Sequence, residues 1–578
     1  MPGSGALWGL DPDIDLQKTT LALVVGVSLA FYLLIIHLTV PPPIPGIPYK
    51  QRWRWMPAGH LAPLGTYWLL SGEAFSWFSR ESLDLKSPIV QIFLPTFSLT
   101  RPTVILADLP EIEEIAMRKL GEMDRASLIH DMFGFIMPNA TFSMKTNDKL
   151  KSQRRLWGVV SSSHFLHEVA APRFHESISR LIELWRVRSK NNNHQPFRAT
   201  DDLKSTALDA IGAISLGLDL GMLQQEMQRA NPKSRLSLKK GDLELCRDGP
   251  LLVHSMEILL QCLNWVTTSA SVRLSKWVIG HLSYFRRAQA AVTNVLNSEI
   301  NAALLRIHSQ DGNQRHPRCG LQEVLERNSM LYSNHSSQDE IRDELFQFLI
   351  FGHETTSAGL GWALKHLADN QAVQARLRSA LVDVLGLGEP GLPIASDIAS
   401  ADVPYLDAFI AEVLRVSYPG PVAFRETMTG CHILGVDIPA RTPVLLVTGG
   451  PSHLQEYYTD YGSERKSKRW DTSFAPLDQF SPERWMRSDG TFNAIAGPSL
   501  PFSTGARGCF GRKIALLEMK FMISMLLLSF KFPELESRLS TYGSTDAQIR
   551  RPTQCYVKPI KNVSLLRVVE FSHSKNIQ

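Results

Sequence analysis

The order of apolar and polar residues predicts a mainly α chain with a smaller β part. Apolar residues recur with a helical period over most of the chain between about residues 140 and 415, and the longest such segment spans residues 338–370. Ser337 and Glu340 form a capping-box pattern at its start. Shorter apolar runs predict strands in "SPIVQIFLP" and "SLTRPTVILADLP", followed by the helix "EIEEIAMRKL", and strands return in "HILGVDIPARTPVLLVT" and "TQCYVKPI". We expect these elements to form one large domain.

A long apolar stretch near the N-terminus predicts a membrane anchor. Residues 19–40, "TTLALVVGVSLAFYLLIIHLTV", would form a helix about 33 Å long, which is enough for a hydrocarbon core of about 30 Å. A cleaved signal peptide is the alternative. However, residues 1–18 carry three aspartates and only Lys18, whereas a signal peptide begins with a basic segment.

Charge on the far side of this stretch predicts its orientation. Lys50, Arg52 and Arg54 follow the apolar residues, and such basic residues remain in the cytosol. We therefore expect a single-pass anchor with residues 1–18 in the lumen and residues 49–578 as a cytosolic domain. The segment 41–48, "PPPIPGIP", cannot continue a helix and predicts a short stiff spacer.

Composition narrows the class of protein further. The 578 residues include 61 basic and 56 acidic side chains, and a net charge of +5 argues against a nucleic-acid-binding protein. Six cysteines are scattered without a CxxC pair, which excludes a disulfide framework and a zinc ribbon. A chain of this length can bury a large core and still enclose a ligand cavity.

One cysteine lies in a loop whose composition indicates metal binding. The stretch "FSTGARGCFG" has the fixed positions Phe502, Gly505, Arg507, Cys509 and Gly511. Its glycines allow close backbone approach, and the helical segment that follows places Cys509 beside a helix N-terminus, where a thiolate is favoured. A thiolate suits iron, and the arginine can pair with an acidic edge of a cofactor.

This loop resembles the haem-binding loop of the cytochrome P-450 family, the haem-thiolate monooxygenases. The segment "FGHETT" is similar to the family's distal-helix motif through Gly352, Glu354 and Thr355. The resemblance implies that Glu354 and Thr355 relay protons to iron-bound oxygen. Phe351 departs from the pattern, because the family usually has alanine or glycine there.

Further segments follow in the family's order. Glu412 and Arg415 of "EVLR" lie on one helix face, and the resemblance implies that they form a structural network with Arg484 of "FSPERW". It also implies that Arg425 of "PVAFRET" and Arg154 of "LKSQRRLW" face the haem propionates. In the second of these segments, Leu150 replaces the tryptophan that is usual in the family.

The resemblance covers essentially the whole chain and implies its activity. It implies a cytochrome P-450 fold behind a single N-terminal transmembrane helix, with residues 49–578 as the catalytic domain. The expected cofactor is haem b with Cys509 as axial ligand, and the expected reaction inserts one oxygen atom from O2 into a lipophilic substrate by hydroxylation, epoxidation or multi-step oxidation. The loop wording is similar to that of fungal members devoted to secondary metabolites.

The same resemblance implies partners and a location. No credible nucleotide or flavin motif is present, so electrons are expected from a membrane-bound NADPH-dependent cytochrome P-450 reductase that meets Arg512 and Lys513. The expected location is the endoplasmic reticulum membrane, with the catalytic domain in the cytosol and no nucleic-acid partner. Part of the apolar segment 251–282 is expected to border the access channel and touch the membrane.

Two other functions are compatible with a haem-thiolate loop. One is an isomerase or peroxide-rearranging enzyme that needs no reductase, although such relatives often lack the acid and alcohol that Glu354 and Thr355 provide. The other is a non-enzymatic membrane haem carrier or gas sensor, which needs neither a proton relay nor a large substrate cavity.

Overall fold

The protein is mainly helical with a smaller sheet part, as its sequence predicts. The computed structural model describes residues 27–231, 244–245, 248–269, 271–308, 318–330, 336–385, 392–449, 475–546 and 548–561. The numbered helices are α1 Leu61–Ser71, α2 Phe75–Asp84, α3 Leu109–Arg118, α4 Ser127–Phe133, α5 Asp148–Leu156, α6 Ala171–Asn191, α7 Thr200–Leu216, α8 Met222–Ala230, α9 Gly249–Thr268, α10 Val272–His281, α11 Ser283–His308, α12 Gly320–Ser329, α13 Gln338–Asp369, α14 Gln371–Leu385, α15 Ala395–Ser400, α16 Pro404–Ser417 and α17 Arg512–Ser529.

Short strands and turns connect the helices. The strands are β1 Ile89–Ile92, β2 Thr103–Leu106, β3 Met123–Arg125, β4 Phe197–Arg198, β5 Leu218–Asp219, β6 Glu244–Leu245, β7 Val422–Thr427, β8 Cys431–Ile433, β9 Val436–Ile438, β10 Pro443–Val447, β11 Phe530–Lys531, β12 Ser544–Thr545, β13 Arg551–Pro552, β14 Tyr556–Val557 and β15 Ile560–Lys561. Single helical turns occupy Gln51–Trp55, Trp157–Ser161, Ser163–Phe165, Leu166–Ala170, Pro482–Trp485, Gly505–Arg507 and Ser537–Leu539.

The main sheet has five strands in the order β1-β2-β10-β7-β3. Strand β10 pairs parallel to β2, whereas the other neighbours are antiparallel. The predicted strand pair "SPIVQIFLP" and "SLTRPTVILADLP" becomes β1 and β2, and the predicted helix after it becomes α3. The sheet joins segments more than 300 residues apart, because β7 and β10 pair with strands near the start of the chain.

Helix α13 is the long helix that the apolar period predicts. The Ser337 hydroxyl caps it by accepting the Glu340 backbone N–H at 3.3 Å. The second bond of a capping box, from the Ser337 backbone N–H to the Glu340 carboxylate, is replaced. The carboxylate instead accepts a hydrogen bond from Gln153 and forms an ion pair with Lys149. Farther along, Gly352 permits a close approach to α7, since a Cβ there would lie 2.8 Å from Ile211 Cγ1. This packing places α13 in the centre of the helical core.

The predicted network around α16 is present and fully buried. Arg415 donates two hydrogen bonds of 2.8 Å to the Glu412 carboxylate, and Arg484 Nε lies 3.7 Å from the same carboxylate. Trp485 Nε1 and the Ser481 backbone N–H complete the set of donors. Because every oxygen of the buried carboxylate is satisfied, the network fixes α16 to the segment that leads into the cysteine loop.

The N-terminal part of the described chain packs on the sheet. Residues 27–39 are helical, and Ile36 and Val40 pack against Phe93. Residues 41–48 have no helix, and the Gln91 side chain hydrogen-bonds the backbone of that segment at Ile44. No helix among the described residues is long and apolar enough to cross a membrane. Residues 19–26 of the predicted anchor lie outside the described residues, so the anchor remains a prediction.

Candidate active site

The cysteine loop is closed by its own backbone. The Cys509 N–H donates to the Phe502 carbonyl at 2.8 Å, and the Gly508 N–H donates to the Gly505 carbonyl at 3.0 Å. Gly505 has a φ of +69°, and a Cβ at this position would lie 2.0 Å from the carbonyl oxygen of Ala116 in α3. Only glycine meets both requirements, so this residue sets the close contact between the loop and α3.

Cys509 lies immediately before α17, as the sequence predicts. Protein packed around the sulfur raises the pKa of the thiol, although the backbone N–H groups of Gly511 and Arg512 and the charge of Arg154 act in the opposite direction. The residue as a whole is nevertheless exposed, because one side of the loop is not covered by protein. A bound metal ion deprotonates a thiol outright, so an uncovered cysteine with helix N–H donors behind it suits metal coordination.

Four arginines form a cationic cluster near this loop. Arg125 in β3 lies directly opposite Arg425 in β7 in the antiparallel register. In addition to burial, the charges of Arg507 and Arg154 lower the pKa of Arg125, and the charge of Arg154 also lowers the pKa of Arg507. Like charges directly opposite each other destabilise a sheet, so a bound anion would stabilise this arrangement by offsetting the repulsion.

The charges within the cluster are not balanced in the described part of the chain. Burial and the neighbouring arginines lower the pKa of Arg125, and burial lowers the pKa of Arg425 to about 10. Asp124 forms an ion pair of 3.2 Å with Arg507, while Arg125 Nε is buried and finds no hydrogen-bond partner among the described residues. A group with two carboxylates would supply the missing acceptors. The chemistry of the thiol and the cluster therefore fits a haem, whose iron Cys509 would hold and whose propionates the arginines would hold.

The sequence predicts Arg154, Arg425 and Arg507 in this cluster but misses Arg125. Arg125 lies in the short segment "MDRAS", which carries no motif. The signal that identifies it is its pairing with Arg425, and that pairing exists only in the assembled sheet.

Arg154 also holds the cysteine loop itself. Its Nη2 donates to the Gly508 carbonyl at 2.9 Å, and its guanidinium group lies 5.5 Å from the ring centroid of Phe510. Leu150, which replaces the usual tryptophan, is buried in the core. The arginine of α5 thus contacts the loop without an aromatic residue one turn before it.

Helix α13 passes beside the loop, as the predicted distal helix should. The ring of Phe348 lies 5.8 Å from that of Phe510, which is the residue after Cys509. Phe351 and Thr355 lie one turn apart on α13, and both are only partly buried. The Thr355 hydroxyl donates to the Phe351 carbonyl at 2.7 Å. This bond orients the alcohol that the family resemblance assigns to proton transfer.

Glu354, the acid of the "FGHETT" motif, forms ion pairs with two cationic side chains. Glu354 lies 2.8 Å from Arg551 Nη2 and 3.6 Å from Lys204 Nζ, and it is almost fully buried. Burial alone would raise the pKa of Glu354. The hydrogen bond from His353 and the two positive charges outweigh that effect, so the pKa lies well below its usual range. Glu354 is therefore a carboxylate at neutral pH, and its cation partners were not predicted from the sequence.

A second buried acid connects α17 to α13. Glu518 accepts a hydrogen bond from the Thr356 hydroxyl, while its Oε1 atom has no hydrogen-bond partner in the part of the chain that the structure describes. Burial raises the pKa of Glu518 to about 8, so this carboxyl is largely protonated at pH 7. It joins the helix that begins beside Cys509 to the helix that carries Thr355.

Comparisons with known proteins identify the family and the fold of the chain. The sequence profile of the cytochrome P-450 family matches residues 87–556. The cytochrome P-450 monooxygenase xilC of Penicillium rubens is 30% identical, covering 86% of this chain and 89% of that protein. The cytochrome P-450 monooxygenase TRI13 of Fusarium sporotrichioides is 28% identical, covering 92% and 98%. The crystal structure of a cytochrome P-450 superposes with a TM-score of 0.66 at 16% identity, covering 90% of this chain and all of that one.

The profile spans the strands, the distal helix and the cysteine loop described above. The solved structure shares the fold, and the relatives extend over nearly the full length of the chain. On these grounds the chain belongs to the cytochrome P-450 family.

Proposed function

We propose that the chain is a haem-dependent monooxygenase that transfers one oxygen atom from O2 to a lipophilic substrate in fungal secondary metabolism. Haem iron with a cysteine axial ligand is the cofactor of the family. Bound here, haem supplies the iron at which O2 is reduced and an oxygen atom is transferred. The observation that carries the proposal is an exposed cysteine at a helix N-terminus next to a cluster of four arginines of which one is paired with Asp124.

Different residues of the chain would bind different parts of the haem. Cys509 provides the thiolate, and the backbone of Phe502, Gly505 and Gly511 shapes the loop around it. The guanidinium groups that would pair with the acidic edge belong to Arg125, Arg154, Arg425 and Arg507. Arg507 is itself held by the Met144 carbonyl at 2.7 Å and the Thr146 hydroxyl at 2.8 Å, so its position is fixed before any ligand binds.

Glu354 and Thr355 are proposed to deliver protons. Thr355 is oriented by the Phe351 carbonyl, which leaves its oxygen free to accept a hydrogen bond from water. Glu354 is ionised and paired with cations, so a cation partner must move away before the carboxylate can accept a proton from solvent and pass it on. Arg551 is the partner suited to that exchange, because its side chain is 43% exposed.

A separate reductase is the proposed source of electrons. Arg512 and Lys513 are both exposed at the start of α17, next to the cysteine loop. An acidic protein surface would be attracted to these cations, and the distance that an electron travels to Cys509 would then be short. We propose an NADPH-dependent cytochrome P-450 reductase as the partner.

Membrane association is proposed from exposed apolar side chains. Leu274 and Trp277 in α10 are 61% and 65% exposed, and Leu69 and Leu70 in α1 are more than three quarters exposed. Exposed apolar patches of this kind mark contact with a membrane or another protein. Together with the apolar stretch 19–40, they support attachment to the endoplasmic reticulum membrane, from which a lipophilic substrate can enter.

The thiolate assignment is tested by replacing its sulfur. The full chain and its Cys509→Ser variant are produced with a reductase, and the absorbance of the ferrous–CO form is compared. We expect the haem-thiolate band in the unchanged protein and its loss in the variant. A matched Cys431→Ser variant, altered in β8, should keep the band. Retention of the band in Cys509→Ser would refute the assignment. Mass spectrometry of metabolites from the same cultures then identifies the oxidised product.

A further inference from the structure

Phe351 belongs to a compact group of three aromatic rings. Its ring centroid lies 4.6 Å from that of Phe142 and 6.0 Å from that of Phe133, and the latter two lie 4.8 Å apart. The three rings come from α13, from the end of α4 and from the segment between α4 and α5. We call this group the Phe351 trio. Within it, Phe351 occupies the position where the family usually has a small side chain on the distal helix.

Hydrogen bonds to α13 fix the position of Phe142. The Phe142 N–H donates to Gln347 Oε1 at 2.7 Å, and the preceding Thr141 donates through both its N–H and its hydroxyl to Glu344. Gln347 and Phe351 are one turn apart on the same helix, so backbone contacts hold Phe142 against the Phe351 ring. The backbone of Phe142 is therefore attached to α13 by a hydrogen bond one turn before Phe351.

The trio also extends to the arginine cluster. The Arg125 guanidinium group lies 4.4 Å from the centroid of the Phe142 ring. Phe351 thus lies one turn from the proposed proton donor Thr355, and its partner Phe142 contacts the arginine that pairs with Arg425. Phe351 and Thr355 share one face of α13 with Phe348, which contacts the cysteine loop at Phe510, and both are only partly buried.

We infer that Phe351 is a specificity-determining residue, which excludes bulky groups, an added aromatic ring included, from the space beside Thr355 and admits only a slender end of a lipophilic substrate. The inference rests on the proposed haem-thiolate function. Its physical basis is that Phe142 and Phe133 already fill the space beside the Phe351 ring, and that the Phe142 backbone is hydrogen-bonded to α13. A packed interior transmits such a change in volume directly to a ligand.

Ligand binding measures this exclusion without turnover. The haem-loaded protein is titrated with imidazole and with 4-phenylimidazole, two azole ligands of haem iron that differ by one ring, and the Soret difference spectrum gives each dissociation constant. Replacing Phe351→Ala should strengthen 4-phenylimidazole binding by roughly tenfold or more, while imidazole binding changes little. Phe351→Leu should give a smaller change in the same direction.

A matched control removes a neighbouring ring outside the trio. Phe135 stacks on Phe285 with a centroid distance of 5.3 Å, and Phe135→Ala should leave the ratio of the two dissociation constants unchanged. An unchanged ratio in Phe351→Ala, with the haem-thiolate spectrum intact, would overturn the inference and leave the proposed function standing. If Phe351→Ala does not retain haem, the Leu variant decides: an unchanged ratio of the two dissociation constants in Phe351→Leu would also overturn the inference. Absence of a haem-thiolate spectrum in the unchanged protein would instead overturn the proposed function.

Discussion

The buried carboxyl of Glu518 makes the stability of the protein depend on pH. The ordinary pKa of a glutamate is 4.5, and burial raises the pKa of Glu518 in the folded protein to about 8. Between these two pH values the unfolded chain loses the proton while the folded chain keeps it. The folded state therefore binds more protons, and the free energy of unfolding falls as pH rises. The perturbation we choose is Glu518→Gln, which keeps the shape and cannot ionise.

The size of the effect follows from the shift in pKa. Each pKa unit corresponds to about 1.4 kcal/mol, so the full contribution of Glu518 between pH 4.5 and 8 is about 5 kcal/mol. About 3 kcal/mol of this falls between pH 5 and pH 7. The Gln variant should thus unfold with nearly the same free energy as the unchanged protein at pH 5 and become more stable than it by about 3 kcal/mol at pH 7. The difference should level off above pH 8.

The assay is denaturant unfolding of both haem-loaded proteins at several pH values from 5 to 8. Glu536 provides a control, because it is exposed and pairs only with the exposed Arg538 in the described part of the chain. Glu536→Gln should produce no growing difference over the same range. A difference between Glu518→Gln and the unchanged protein that stays constant from pH 5 to pH 8 would refute the reasoning, since it would mean that Glu518 has the same pKa in both states.

Two further predictions concern the haem loop and its cations. Arg125→Met removes one of two guanidinium groups that face each other across β3 and β7, so the rate of haem loss to an apo-globin acceptor should rise about tenfold. Arg125→Lys keeps the charge and should raise this rate less. An unchanged rate in the Met variant would contradict the assignment of Arg125 to the acidic edge of the haem. Gly505→Ala forces a Cβ to within 2.0 Å of a carbonyl oxygen at a φ of +69° and should destabilise the protein by about 1–3 kcal/mol in denaturant unfolding. Gly121→Ala, where a Cβ meets no atom within 4 Å, serves as the control, and equal stability of the two variants would contradict the strain argument.

Local signals predicted the parts of the fold that depend on nearby residues. The first two strands, the helix after them and the long distal helix lie where the apolar period and the capping residues place them. The capping box was only half right, because the Glu340 side chain forms stronger contacts with Gln153 and Lys149 on another helix. A partner from a distant element can outcompete a local one, and no local pattern reveals it.

The class of the fold, the position of the cysteine loop before a helix and the buried pair in α16 were predictable from the amino-acid sequence alone. Cys509, its glycines and the helix that follows are contiguous, so their geometry depends on local backbone preferences. Residue spacing likewise sufficed for Glu412 and Arg415, which are three apart on one helix.

The contacts between charged groups and between aromatic rings, in contrast, depend on how distant segments pack. Arg125 faces Arg425 because of strand register, and Glu354 meets Lys204 and Arg551 because α13 packs against α7 and β13. The contact of Phe351 with Phe142 arises in the same way, from hydrogen bonds between distant segments. These contacts depend on the relative positions of elements far apart in the chain, which are set by the packing of the whole core and not by any single segment.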